Sequence, residues 1–335
     1  MSVSEHEPES TRWPDSGNEV PLLPVGRLIY ASVSQVKGSA LDEMRRIREH
    51  AIANNQGHGI RVALLNMCGW FVQWIEGPEP AIERLVTRVA QDTRHHGLTV
   101  IHRSHGKARL MRPWIGSIVQ TTETSADFAQ RVFALKERHE MGDVMEPASV
   151  WLSLCSPSDP DMPAAGGAYP RVMLLPARRA VSFDLINWLA RETSRPLIRR
   201  RFAGSSEDAL DVESDYLDLP GLGPCGVRIV ANARKGLAMG MTHAFLPNYE
   251  AVVILLDDDA EQNHRIVGKV LSACRQVHHT PTIIGLGTHL SVTPDLQTEV
   301  ERQGHAWLGI TSPMSRPDLA DYWEVLEPVL DRIGR

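Results

Sequence analysis

Apolar residues recur at two spacings, alternating over short runs that predict strands and every three to four residues over runs that predict helices. In the first part of the chain, strands are predicted over 27–33, 60–66, 71–75, 98–103 and 114–119. Amphipathic helices are predicted after Ser39 to about Asn54, from Pro78 to about Val89, and over 126–139. The order βαββαββ is that of a ferredoxin-like sandwich, with two helices packed on one face of the sheet.

The second half predicts a different kind of sheet. Strands are predicted over 171–175, 215–219, 226–232, 251–257, 281–287 and 306–311, and helices over 183–192, 261–277 and 318–333. Several strands are continuous apolar runs, such as the VVILL run from Val252. Strands that are apolar on both faces and alternate with helices are typical of a doubly wound α/β sheet.

Composition suggests where these regions begin and end. Residues 1–26 are rich in Glu, Ser, Pro and Asp without periodicity, and they are predicted to be a disordered lead-in. Residues 142–170 include the SPSDPDMPAAGGAYP stretch, which is typical of a linker. The chain is therefore predicted to carry a first domain over 27–141 and an α/β domain over 171–335.

Charge and cysteine usage restrict the classes of function. The net charge of −6 argues against a partner held through nucleic-acid phosphates. The longest apolar runs are too short to span a bilayer, the first residues do not resemble a secretory signal, and the four cysteines form no CxxC pair. A cytoplasmic protein is expected, without a membrane or nucleic-acid partner. The oligomeric state is open, and a homodimer is possible.

One polar residue interrupts the apolar run of the third strand. Gln73 lies between Val72 and Trp74, where an amide costs free energy unless another group pairs with it. A glutamine amide can donate and accept at once, and a rotation of 180° exchanges the two roles. The alternative is that Gln73 lies on a half-solvated face and has no function.

The surroundings of Gln73 resemble the BLUF family of flavin-binding blue-light sensors, over about 27–119. The resemblance depends on Tyr30 in the first strand, Gln73 in the third, and further residues in matching order and spacing. These are Asn54 and Asn55 after the first helix, Arg94 and His95 after the second, and Trp114 at the fifth strand.

The resemblance implies a fold, a cofactor and a mechanism. In BLUF domains the flavin of FAD lies between the two helices, and the strand-1 tyrosine hydrogen-bonds the strand-3 glutamine. Light drives electron and proton transfer from the tyrosine, and the glutamine then rotates or tautomerises. Asn55 corresponds to the asparagine that holds the flavin pyrimidine edge, and Asn54 to its common companion. Arg94 and His95 correspond to residues near the ribityl and phosphate groups. The position of Trp114 corresponds to one tied to signalling.

The chain departs from the family pattern at three places. The Ile-Thr-Gly of the second strand is Ile60-Arg61-Val62 in this chain, so Arg61 and Val62 are expected to crowd the flavin pocket. The methionine two residues after the tryptophan is Gly116, and the Ser-Arg before the asparagines is Ile52-Ala53.

The second domain resembles a small bacterial GTPase of the gliding-protein type in which the nucleotide motifs are lost. The four defining positions of the phosphate-loop pattern map onto Pro176, Val181, Ser182 and Phe183. Neither glycine is present, Ser182 stands where the lysine would be, and Phe183 stands where the Ser or Thr hydroxyl would be. Asn232 replaces the magnesium-linked aspartate. The positions that would read guanine are Gly287, Thr288 and Leu290. The resemblance implies a pseudo-GTPase.

Other polar clusters have simpler explanations. The run Asp257–Asp259 follows a predicted strand and is expected to cap the next helix, although it could also bind a metal. His278 and His279 are adjacent and diverge on a helix, so no metal site is predicted. The run 199–201 (Arg-Arg-Arg) is expected to be a solvated loop.

These observations favour a signalling protein without enzymatic activity. FAD in the BLUF-like domain would bias the α/β output domain, which would act by contact with a protein partner. The alternative is a light-independent interaction scaffold in which both domains are degenerate.

Overall fold

A computed structural model of the protein describes residues 24–120, 123–155, 159–162, 169–178, 181–203, 212–238 and 240–333. The predicted lead-in over 1–26 therefore lies almost wholly outside the described residues. Strands and helices alternate along most of the chain, and their bounds are close to those expected from the apolar pattern.

The first part contains five strands and four helices. The strands are β1 (Val25–Ser34), β2 (Arg61–Met67), β3 (Trp70–Gly77), β4 (His95–Gly106) and β5 (Ile115–Gln120). The helices are α1 (Ala40–Gln56), α2 (Glu79–Val89), α3 (Ser125–Glu140) and α4 (Pro147–Cys155). Ser39 caps α1 by accepting from the Asp42 N–H, and Cys68-Gly69 forms the positive-φ turn between β2 and β3.

The described residues of the second part add seven strands and five α-helices. The strands are β6 (Arg171–Pro176), β7 (Ile198–Ala203), β8 (Val212–Leu219), β9 (Val227–Asn232), β10 (Ala251–Leu255), β11 (Thr282–Gly287) and β12 (Trp307–Thr311). The helices are α5 (Val181–Glu192), α6 (Gly240–Phe245), α7 (Ala260–Val277), α8 (Pro294–Arg302) and α9 (Leu319–Leu330). None of these described helices is long and apolar enough to cross a membrane.

The first part has the predicted ferredoxin-like order. Its strands lie side by side as β4-β1-β3-β2-β5. One face is covered by α1, which packs on β2 and β5, and by α2, which packs on β1 and β3. The other face is covered by α3 and α4. The sheet therefore presents one face to a pair of helices, as expected for the BLUF-like region.

In the second part, five strands run parallel in the order β12-β11-β10-β6-β9, and β8 and β7 continue the sheet antiparallel. Side chains of α5 and α9 pack on one face, and side chains of α7 and α8 on the other. Helices on both faces bury β6, β9, β10 and β11, which explains their largely apolar sequences, whereas the edge strand β12 is partly exposed.

The two parts share one sheet, which the sequence did not predict. Strand β7 pairs antiparallel with β5, so all twelve strands form a single ladder. The run 199–201 is therefore part of a central strand, and the expectation of a solvated loop is wrong. Arg200 is buried, with its Nη2 3.1 Å from Ser214 Oγ and its guanidinium over the Tyr216 ring. The hydrogen bond to Ser214 and the contact with the Tyr216 ring offset the desolvation of Arg200.

The segment predicted as a linker contains a helix. Although 142–170 is rich in Pro, Gly and Ala, α4 lies within it and buries Trp151 against Trp74 of β3, with ring centroids 6.1 Å apart. Phe245 of α6 contacts Trp74 from the second part at 6.5 Å. The polar residues that follow α4 concealed its apolar composition. The core face behind β3 is thus shared by both parts of the chain.

Candidate functional site

The centre of the site is a hydrogen bond between Tyr30 and Gln73. The register of β1 and β3 places these residues directly opposite each other, so both side chains point to the face covered by α1 and α2. Both are buried, and the Tyr30 hydroxyl donates to Gln73 Oε1. Burial, with a smaller contribution from Asp92, raises the pKa of Tyr30 far above its usual value. The phenol is therefore neutral and holds its proton as a donor.

The two helices cover the sheet face that carries this bond. The α2 helix packs over β1 and β3, the strands of Tyr30 and Gln73, and α1 packs over the neighbouring β2 and β5. The apolar side chains of this face form one cluster. It consists of Leu28, Tyr30, Met44, Ile60, Val62, Leu64, Phe71, Ile75, Ala81, Ile82, Leu85 and Trp114.

The two asparagines at the end of α1 behave differently. Asn55 is buried, and its Nδ2 donates to the Pro113 carbonyl at 3.0 Å, which ties α1 to the segment that leads into β5. Asn54 is exposed, and its amide donates to the His50 carbonyl one turn earlier. The structure therefore brings Asn55 to the site and leaves Asn54 on the surface.

Arg94 and His95 lie where α2 leads into β4. The His95 ring lies 6.5 Å from the Tyr30 ring, and burial lowers the pKa of His95, so the imidazole is neutral near pH 7. Arg94 is more exposed. Its guanidinium bonds Asp92, which raises the pKa of Arg94 above its usual range, and its Nη1 lies 2.9 Å from Glu43 Oε1 on α1. An anionic group bound by Arg94 would have to share it with two carboxylates.

Trp114 is buried in the cluster, and its ring lies over Gly116. A Cβ at position 116 would overlap the Trp114 ring and would lie 2.9 Å from Met44 Cε. Glycine at this position therefore permits the inward position of the indole. Met44 lies next to Gly116. The apolar stripe of α1 indicates that Met44 is in the core, but it does not predict this contact.

Arg61 and Val62 point to opposite faces. Val62 belongs to the cluster around Tyr30, whereas Arg61 alternates with it and pairs in register with Glu76 on the face of α3 and α4. Burial lowers the pKa of Arg61, and the nearby Glu76 carboxylate opposes this shift. The expectation that Arg61 crowds the flavin pocket is therefore wrong, and it stays a prediction for Val62. Strand alternation could have separated the two from sequence alone.

Two polar atoms on this face fit a polar cofactor. Ser32 Oγ and Trp114 Nε1 are buried and have no hydrogen-bond partner among the described residues. Ser32 is two residues from Tyr30 on the same strand face. Buried polar atoms without partners cost about 1–3 kcal/mol each, so bound polar groups at these positions would stabilise the fold. The residues present are thus compatible with a flavin.

The second part places its candidate residues at the carboxyl ends of the parallel strands. Pro176 ends β6, Asn232 ends β9 and Gly287 ends β11, with Thr288 directly after it. The N–H of Ala177, directly after β6, already donates to the Leu255 carbonyl at 2.8 Å.

Two of the polar clusters have structural roles. Asp259 caps α7, accepting from the N–H groups of Glu261 and Gln262, as expected. His278 takes the left-handed conformation that ends the same helix.

Comparison with known proteins supports the assignment of the first part. Residues 25–115 match the family described as "BLUF: Sensors of blue-light using FAD". Over 75 residues the chain is 37% identical to photoactivated adenylate cyclase subunit beta of Euglena gracilis, a match that covers 22% of this chain and 9% of that protein. Residues 25–115 therefore form a BLUF domain, and FAD is the cofactor that this family uses.

Solved structures are also similar to part of the chain. The photo-activated state of BlsA is 20% identical, covering 40% of this chain and 96% of that one, with a TM-score of 0.30. A bacterial light-regulated adenylyl cyclase is 22% identical, covering 41% of each chain, with a TM-score of 0.28. The chain spans less than half of that cyclase and a small part of the Euglena protein.

Proposed function

We propose that the chain is a blue-light sensory protein in which FAD, held between α1 and α2, controls the C-terminal α/β domain. The observation that carries this proposal is the buried hydrogen bond from Tyr30 to Gln73, on the sheet face that the two helices flank. Bound FAD would supply absorption of blue light and an electron acceptor. Asn55, His95 and Trp114 lie on the same side of the sheet and would complete the site.

The switch depends on what Tyr30 and Gln73 can do. In the structure, the hydroxyl of the neutral phenol donates a hydrogen bond to Gln73 Oε1, so the amide NH2 is left to donate elsewhere. Rotation of the amide by 180° would turn its donors towards Tyr30 and its oxygen away from it. The apolar surroundings make each arrangement distinct because a mismatched polar group there has no water to bind. A change in the protonation of Tyr30 would therefore decide the orientation of Gln73.

The shared sheet provides a route to the output domain. One row of opposed residues crosses it from Tyr30 through Gln73, Leu64 and Gly116 to Ala203 of β7. A shift of β5 next to Trp114 would thus act on β7 through direct backbone pairing. Hydrogen exchange of the full chain tests this coupling: illumination should change protection in β7 and leave β10 unchanged, and equal protection of β7 in light and dark would refute it.

For the second part we propose a pseudo-GTPase-like domain that acts by contact with a protein partner and has no enzymatic activity. The order β8-β9-β6-β10-β11-β12, with β8 alone antiparallel among these strands, supports this proposal. So does the loss of the phosphate-loop residues from Pro176 to Phe183.

The second candidate is a light-independent scaffold. It is favoured by Val62, which fills part of the face around Tyr30, and by the two carboxylates that already engage Arg94.

Absorption spectroscopy of the purified full chain separates the two candidates. A yellow protein with a flavin band that shifts to the red under blue light and recovers in the dark supports the proposal. Gln73→Leu should keep the flavin and lose the red shift, whereas the control Gln91→Leu, at an exposed glutamine after α2, should keep both. A colourless protein after refolding with excess FAD would establish the scaffold instead.

A further inference from the structure

Strand β12 is an edge of the twelve-stranded sheet, and no described strand pairs with its outer side. On its inner side, the Ala306 carbonyl accepts from the Ile283 N–H, and the Ser312 N–H donates to the Gly287 carbonyl. Backbone groups of a strand alternate in direction. Even-numbered residues therefore bond β11, and the N–H and C=O groups of Trp307, Gly309 and Thr311 point outwards.

The side chains of this edge are uncharged and largely apolar. The sequence WLGIT has no charged residue and no proline. Leu308 is 40% exposed, and two loops beside the strand expose Leu290 (66%) and Met314 (51%). A flat apolar edge without charges is a template for another strand, and proteins normally protect such an edge.

The opposite edge of the sheet shows that protection. Strand β4 carries Arg103 and four histidines (His95, His96, His102 and His105). Two copies of such a strand would oppose several basic side chains. Of the two sheet edges in the described part of the chain, β12 is the one suited to pairing.

We propose that β12 pairs antiparallel with β12 of a second copy of this chain, about a two-fold axis at Gly309. In this register the outward groups of Gly309 meet those of Gly309 in the other copy. Trp307 meets Thr311 in the same way, which gives about six hydrogen bonds. The outward-facing residues 307, 309 and 311 are evenly spaced about Gly309. Each outward N–H of one copy therefore meets an outward C=O of the other.

The same register continues the apolar layer across the axis. Leu308 lies opposite Ile310 of the other copy, in a pair without backbone hydrogen bonds, where side chains come closest. Ile310 belongs to the core cluster beneath α5 and α9. The half-exposed Leu308 of each copy is thereby covered by the other, and the β12 edges of both copies are paired, so the assembly closes as a dimer.

Light scattering of the full chain over a range of concentrations tests the proposal, and it does not depend on bound flavin. We expect a mass about twice the 37.2 kDa of one chain. Leu308→Lys places like charges near the axis, and Thr311→Pro removes an outward N–H without touching the β11 ladder. Both should give a mass of one chain. Gly309 itself is unsuited to substitution because a Cβ there would lie 2.7 Å from Val292 Cγ1.

The matched control is Phe133→Lys, which makes the same chemical change at a 54% exposed side chain on α3, and it should remain dimeric. Circular dichroism establishes that each variant is folded, and two variants of different chemistry protect the test against failure of one. A wild-type chain that stays monomeric overturns the proposal, including the case in which β12 binds a different protein. A dimer or larger assembly that survives both Leu308→Lys and Thr311→Pro overturns it as well.

Discussion

Replacement of Glu76 by Gln should remove a pH dependence from the stability of the BLUF domain. Glu76 is fully buried near the end of β3, and its Oε2 accepts from the N–H groups of Arg109 and Leu110 at 2.7 and 2.8 Å. Desolvation raises the pKa of Glu76 from 4.5 to about 7, although the two backbone bonds and the positive charges of Arg27 and Arg61 act against it. The folded protein therefore favours the protonated carboxyl.

The sign and size of the effect follow from this shift. Between pH 4.5 and about 7 the folded state binds more protons at Glu76 than the unfolded state does. The stabilisation is fully present below the unfolded pKa and is lost as the pH rises through the folded pKa. A shift of about 2.5 pKa units corresponds to about 3 kcal/mol. Glutamine keeps an oxygen for both backbone donors and cannot ionise, so the variant should lack this loss.

Urea unfolding at several values between pH 5 and 8 provides the measurement. The difference in unfolding free energy between Glu76→Gln and wild type should change by about 2–3 kcal/mol in favour of the variant as the pH rises. The control is Glu137→Gln, at an exposed carboxylate on α3, which should follow the wild type. If the difference between Glu76→Gln and wild type is independent of pH, the carboxyl is not held neutral by burial.

Three further experiments test the site and the second domain. Val62→Gly should raise the flavin content of the purified protein, measured by the ratio of flavin to protein absorbance, whereas Arg61→Thr, on the other face, should leave it unchanged. Gly116→Leu should displace the Trp114 ring, increase quenching of tryptophan fluorescence by acrylamide and destabilise the fold by about 1–3 kcal/mol; unchanged quenching would contradict the contact. Titration calorimetry with GTP, GDP and ATP in magnesium should show no binding because the segment 176–183 lacks the glycines and the lysine of a phosphate loop, and a micromolar dissociation constant would refute this.

The apolar pattern was sufficient to predict most of the sheet, because buried strands and amphipathic helices are defined by the side chains that they bury. The resemblance to the BLUF family paired Tyr30 with Gln73, and the structure confirms that they meet. Arg61 was assigned to the wrong face of the sheet because the length and charge of its side chain were considered without the alternation of residues along the strand. Met44 and Ser32 were missed because nothing in their local sequence distinguishes them from other core residues.

Strand β7 could not be predicted because its stability comes from partners that are distant in sequence. The segment Ile198–Ala203 carries three arginines in succession, which locally favours a solvated segment. Two neighbouring strands, β5 and β8, supply the backbone hydrogen bonds, and the Tyr216 ring and Ser214 accommodate Arg200. Tertiary pairing therefore overrides the local preference.

The pairing of β5 with β7 also determines how stiff the proposed route is. Five residue pairs, from Gly116 with Ala203 to Gln120 with Arg199, join the two strands. If each backbone hydrogen bond contributes about 0.5–1.5 kcal/mol, separation of the strands costs several kcal/mol. If a displacement of β5 releases less free energy than separation of the two strands costs, β7 moves with β5 and the ladder stays intact. Because β7 is in turn bonded to β8, and β8 to β9, such a displacement reaches β8 and β9 of the second part without any loop having to transmit it.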